Sequence, residues 1–140
     1  MTSRYPLKPF SIAILGLFVC VPLGCGSGKP SGIYSVSGAI TYDGKPIPRG
    51  SITFSPDAQK NNQGPGVTAE IKDGQYETFA DKGTTGGPYI LLVQAYDGIP
   101  VVSGEGGMDP IGKPLFAPVE LQVDLPKKDA THDIEIPKRR

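Results

Sequence analysis

Tryptophan is absent from this chain, histidine occurs once and cysteine twice. Two cysteines cannot build a disulfide framework or a four-ligand zinc site. A single histidine, His132, leaves little room for metal or relay chemistry built on imidazoles. Neither sign of charge dominates, with 14 Lys plus Arg against 14 Asp plus Glu. That balance argues against a nucleic-acid binder, which shows a basic excess on one face. No segment has a convincing helical period. What is plentiful is glycine, 19 residues, and proline, 15, in a chain of 140. They carry no three-residue repeat, which excludes collagen, and stay just under the low-complexity range. The length suits one domain.

The first residues read as an export signal. Arg4 and Lys8 precede an almost wholly apolar run from Phe10 to Gly24, which ends in Pro22 and small residues. A basic start, a short apolar core and a small-residue exit describe a secretory signal peptide. The run falls short of the roughly 20 apolar residues of a spanning helix, although a tilted, uncleaved anchor is the alternative. Leu23-Gly24-Cys25 resembles the bacterial lipobox. The resemblance implies cleavage after Gly24 and a diacylglycerol on Cys25, giving an envelope lipoprotein with its domain on the periplasmic or outer face. Acyl chains contribute about 0.8 kcal/mol per buried CH₂, so two or three hold a protein on a bilayer. Cleavage near the Gly/Ser stretch instead would release a soluble domain. Cys20 lies inside the apolar run as a small hydrophobe.

Beyond a tether spanning 25–32, strand signals repeat. Tyr34, Val36, Ile40 and Tyr42 share one parity, with Ser35, Ser37 and Thr41 on the other, the mark of a half-buried strand. Ser51–Ser55 and Val67–Lys72 alternate in the same way. Asp43-Gly44 and Asp73-Gly74 are reversal signals, and the second joins Val67–Lys72 to Gln75–Ala80 as a hairpin. Tyr89–Tyr96 is nearly continuous in apolar residues, the expectation for a strand covered on both faces. Val119–Leu125 alternates, and Ile134 and Ile136 mark a last strand. The stretch 97–114 is long for a loop of a compact domain, so it is expected to be mobile or functional. Seven short strands predict an all-β fold, a seven-stranded antiparallel β-sandwich of transthyretin- or immunoglobulin-like type behind the signal peptide.

The segment VSGAITYDGKPIPRGSITFSPD, Val36 to Asp57, is similar to the first hairpin of the carboxypeptidase regulatory-like, transthyretin-related domains. Val36, Gly38, Ile40, Tyr42, Asp43, Gly44, Pro46, Ile47, Gly50, Ile52 and Phe54 occupy matching places. AEIKDGQYE, Ala69 to Glu77, and Gly87 to Leu91 carry two further pieces of the pattern. The resemblance covers 33–137 and leaves a basic tail at 138–140. It implies a module that accompanies other envelope proteins and is mostly non-catalytic. Hydrolases on a transthyretin-like fold use several His, an Arg and a characteristic C-terminal tetrapeptide, whereas this chain has His132 alone and ends Pro137-Lys138-Arg139-Arg140.

Other candidate chemistry is sparse. His132 adjoins Asp133, but neighbours along a strand point to opposite faces. Asp43, Asp73, Asp81, Asp97 and Asp109 sit near glycines without the D-x-D-x-D spacing of a calcium loop. Tyr89, Tyr96 and Phe116, near 97–114, are the candidate ligand-binding residues for a carbohydrate or peptide. The sequence therefore predicts no enzyme, no catalytic residue, no metal and no cofactor. The expected partners are membrane lipid through Cys25 and an envelope protein or glycan, not nucleic acid.

Overall fold

All seven expected strands form in a computed structural model, which describes residues 31–138 except Ala80, Ser103 and Glu105. The expected leader with Cys20, the expected cleavage point at Gly24, Cys25 and the last two arginines lie outside the described residues. The fold is all-β: the described residues form eleven strands and one turn of 3₁₀ helix. In chain order the strands are β1 (Val36–Tyr42), β2 (Lys45–Pro46), β3 (Arg49–Pro56), β4 (Val67–Lys72), β5 (Gln75–Glu77), β6 (Gly87–Tyr96), β7 (Val101–Val102), β8 (Met108–Asp109), β9 (Val119–Leu125), β10 (Ala130–Thr131) and β11 (Ile134–Ile136).

One curled, largely antiparallel sheet runs β10-β1-β5-β4-β3-β6-β9, with β2 and β11 also paired to β1. The turns that drive it are visible in the chain. Asp43 and Gly44 (φ 52° and 71°) close the two-residue hairpin β1–β2, and Asp73 and Gly74 (51° and 77°) close β4–β5. Positive φ at both central positions is the turn whose twist matches flanking strands, and Asp-Gly tolerates it best.

Two pairings depart from an all-antiparallel order. β10 and β11 both run parallel to β1, with Val36 opposite Ala130 and Ile40 opposite Ile134. Strand direction depends on how the chain returns, and a periodic pattern of apolar residues carries no such information. β1 also changes neighbours midway: Ser37–Ala39 pair with β5, and Thr41 and Tyr42 with β2.

The core gathers where the curl faces itself. Val36 and Ile40 of β1 meet Ile52 and Phe54 of β3, Ala69 and Ile71 of β4, Leu91 and Val93 of β6, and Ile134 and Ile136 of β11, all buried. Fully burying one such side chain contributes roughly 1.5–3 kcal/mol. Ile47 is also fully buried, although its place between two prolines reads as turn. Its N–H donates to the Ile40 carbonyl and its carbonyl accepts from Gly74 N–H, so it plugs the corner between β1 and β4–β5. Leu121 and Val123 are only half-buried, because β9 is the last strand of the path.

β6 differs from expectation. Tyr89, Leu91, Val93 and Ala95 are buried while Ile90, Leu92, Gln94 and Tyr96 are half-buried. The second face stands beside Thr53 and Ser55 of β3 and Glu120 and Gln122 of β9, a polar neighbourhood that no layer among the described residues covers. The stretch 97–114 is not structureless either. β7 and β8 pair as a ribbon, and its neck is sewn shut by Asp97 N–H to the Lys113 carbonyl (2.9 Å) and Gly98 N–H to the Ile111 carbonyl (3.0 Å).

Candidate functional site

Asp57, Asn62, Asp97, Asp109, Asp129 and Asp133 are spent on the domain's own backbone. Asp57 caps the 3₁₀ turn through Gln59 N–H (3.1 Å) and is buried; Lys60 Nζ lies 3.6 Å from its other oxygen. Asn62 donates to the carbonyls of Pro88 (2.8 Å) and Gly86 (3.3 Å), fastening the 57–66 loop to the start of β6. Asp97 Oδ1 accepts from Ile99 N–H and Lys113 N–H, both at 3.0 Å. Asp109 Oδ1 accepts from Ile111 N–H at 3.0 Å. Asp129 accepts from Ser35 N–H and Asp133 from Ala39 N–H, each at 2.8 Å. Among the described residues no group of three His, Cys, Asp or Glu stands close enough to hold a metal ion.

His132 belongs to the same structural system. It sits where the parallel ladder breaks between β10 and β11. Its N–H donates to the Ser37 carbonyl (2.8 Å), and its carbonyl accepts the phenol of Tyr76 across the sheet. Tyr76 pairs with Gly38, and a Cβ at Gly38 would collide with the His132 carbonyl. The missing side chain is what lets β1 and the 132–133 segment approach. Burial first, and the charge of Asp133 second, hold the Tyr76 phenol above its ordinary range, because both disfavour the phenolate.

The three aromatic candidates do not converge. Tyr89 is fully buried; its hydroxyl donates to the Pro65 carbonyl (3.2 Å) and accepts from Thr85 N–H (3.2 Å). No ligand reaches it without opening the core. Tyr96 lies at the far end of β6, about 23 Å away at strand rise. It bridges Pro114 at the ribbon neck and lines a shallow depression with Arg49 and Ile111. Phe116 alone lines a substantial concavity.

That concavity is a groove of about 410 Å³ bounded by Tyr42, Leu115, Phe116, Val119, Leu121 and Ile136. It opens where the two ends of the curled sheet approach without joining: the end of β1 with β11 on one side, the start of β9 on the other. Tyr42 and Phe116 stack in a tilted pair, centroids 4.8 Å apart and planes at 45°. Leu115 N–H donates to the Ala95 carbonyl (2.9 Å), fixing the connector that presents Phe116. Apolar walls with few polar groups are the ordinary make-up of a ligand site. Sequence reasoning singled out Phe116 and missed Tyr42, Leu115, Val119, Leu121 and Ile136 as lining residues. Alternation marks Tyr42, Val119, Leu121 and Ile136 as core-facing, and the gap between sheet ends leaves Tyr42, Val119 and Leu121 half-buried.

A second apolar surface lies on the ribbon, where Ile99, Val102, Met108 and Ile111 are all exposed. Comparison of the chain with protein-family models, with curated proteins and with solved structures finds no match to any of the three.

Proposed function

We propose that this protein is a lipid-tethered, non-enzymatic binding or scaffolding module of a bacterial envelope, its folded part a transthyretin-like sandwich of the carboxypeptidase regulatory-like kind. The observation that carries the binding reading is the Tyr42–Phe116 groove, an apolar concavity left open in a domain that otherwise buries its alternating residues. The non-enzymatic reading is supported by where the acid, amide and imidazole-bearing residues go. Asp57, Asp97, Asp133 and His132 cap turns or hold strand ends and none lines the groove, whose one carboxylate is Glu120. The sandwich reading is supported by β1, which pairs with β5 over Ser37–Ala39 and with β2 at Thr41 and Tyr42. The tether reading rests on the leader and Leu23-Gly24-Cys25, and membrane lipid is its partner.

Mass spectrometry of the full chain purified from a bacterial host tests the tether. The expected N-terminal peptide begins at Cys25 and carries diacylglycerol and acyl mass. A peptide beginning at unmodified Ser27, or an intact Met1 terminus, refutes it. A second reading, glycan or peptide recognition through 97–114, is favoured by the exposed Ile99, Val102, Met108 and Ile111. These residues lack the polar groups that sugars require, so a polypeptide is the better fit. Binding that survives replacement of 99–111 by a short Gly-Ser turn removes it.

A further inference from the structure

We propose that the free edge of β9 receives an extended segment of a partner polypeptide whose side chains alternate basic and apolar. The proposal deepens the binding reading above and depends on it. β9 is hydrogen-bonded to β6 along Val119–Val123 and beyond, and no strand among the described residues lies on its other side. Its seven residues contain no proline or glycine, and Pro118 and Pro126 stand just outside them. A long regular edge is a template for strand addition, which native proteins usually blunt with bulges, interior prolines or inward charges. Here the inward positions are Val119, Leu121, Val123 and Leu125, all apolar.

The groove adjoins this edge. Val119, Glu120 and Leu121 line it, with Ile136 and Tyr42 across the gap. A strand laid along β9 would put one apolar side chain into the groove beside the Tyr42–Phe116 pair. Main-chain hydrogen bonds then give affinity and the alternate side-chain pocket gives specificity.

The outer face of β9 selects the partner by charge. Glu120 and Asp124 flank Gln122, are exposed, and have no ionic partner among the described residues. Lys60, near this face, is engaged by Gln122 Oε1 at 3.1 Å and by Asp57. A second copy of this chain fits poorly. The antiparallel register that pairs the whole strand sets Glu120 of one copy opposite Asp124 of the other, twice, and like charges directly opposite destabilise a sheet. The tether is no better: in Gly26-Ser27-Gly28-Lys29-Pro30 the one apolar side chain is that of Pro30, whose residue has no N–H to donate to a strand ladder. Lys or Arg at alternate positions meets both carboxylates.

The test uses the full lipidated chain in a neutral detergent. The probes are two fluorescein-labelled seven-residue peptides of alternating charged and apolar residues with a central Phe and flanking Val, one with Lys at the charged positions and one with Glu. Anisotropy is expected to show the Lys peptide binding about tenfold tighter, the effect of roughly two exchanged charge contacts. The double variant Glu120→Lys/Asp124→Lys should invert the order. Hydrogen exchange should report protection of 119–125 on binding. Equal binding of both peptides, or an order indifferent to the charge swap, overturns the proposal. So does protection of 119–125 that rises with protein concentration without peptide, which assigns the edge to a second copy. Protection without peptide that is lost in Cys25→Ser also overturns it, since the chain's own acyl groups then fill the groove. The N-terminal mass judges the tether independently, so a failed peptide test with Cys25 lipidated refutes the strand addition alone.

Discussion

Replacing Tyr76 by Phe isolates one hydrogen bond without moving a ring. Tyr76 is 3 % exposed, packs against Phe54 with centroids 6.1 Å apart, and sends its hydroxyl over Gly38 to the His132 carbonyl. Phe keeps the packing and leaves that carbonyl without its donor. An unsatisfied buried acceptor costs roughly 1–3 kcal/mol, and the partly buried setting places this one toward the lower end. For a domain of this size that is a fall in Tm of about 5–10 °C at pH 7. The pH dependence makes the prediction specific. Desolvation, with Asp133 in support, raises the phenol above its unfolded value near 10. Above about pH 10 the unfolded chain sheds this proton and the folded one keeps it, so the wild-type protein loses stability as pH rises. The slope is about 1.4 kcal/mol per pH unit. Tyr76→Phe has no such proton, so the gap between the two proteins should narrow by about 1 kcal/mol between pH 10 and 11, where the unfolded tyrosine goes from half to almost fully ionised. Urea denaturation followed by circular dichroism at pH 7, 10 and 11 measures both quantities. A variant within 0.5 kcal/mol of wild type at pH 7, or a gap that does not change with pH, would refute the assignment of Tyr76 to the His132 carbonyl.

Gly38→Ala should be among the most damaging single changes, because its Cβ meets the His132 carbonyl and must push the 132–133 segment off β1. A loss of about 2–3 kcal/mol or more in urea denaturation is expected. Asp97→Ala removes the acceptor of Ile99 and Lys113 N–H. It should cost about 1 kcal/mol and accelerate hydrogen exchange at 98–113 while β3 and β6 stay protected. Phe116→Ala, in the half-buried groove wall, should lower stability by only about 1–2 kcal/mol. It should weaken the Lys-containing peptide more than tenfold in anisotropy, whereas unchanged affinity would detach the groove from binding.

What the chain alone determines is the material of the fold. Alternation at 34–42, 51–55, 67–72 and 119–125 marks strands because side chains of period two must sort between core and solvent. Asp43-Gly44 and Asp73-Gly74 mark reversals because few other pairs accept positive φ twice in succession. The reading of the first residues as an export leader and of Cys25 as its lipid anchor rests on linear sequence alone, since targeting signals are local. Tertiary structure decided the rest, since it depends on residues far apart in the chain. The parallel return of β10 and β11 along β1, the corner filled by Ile47, and the closed neck of 97–114 all follow from pairings that no local pattern encodes. Tyr89 and Phe116 are both large aromatics near the same long stretch, yet the first is sealed in the core and the second lines an open groove. The curl of the sheet separates them: it closes over the start of β6 and stops short between β9 and β11, leaving apolar residues at the gap that no other described residue covers.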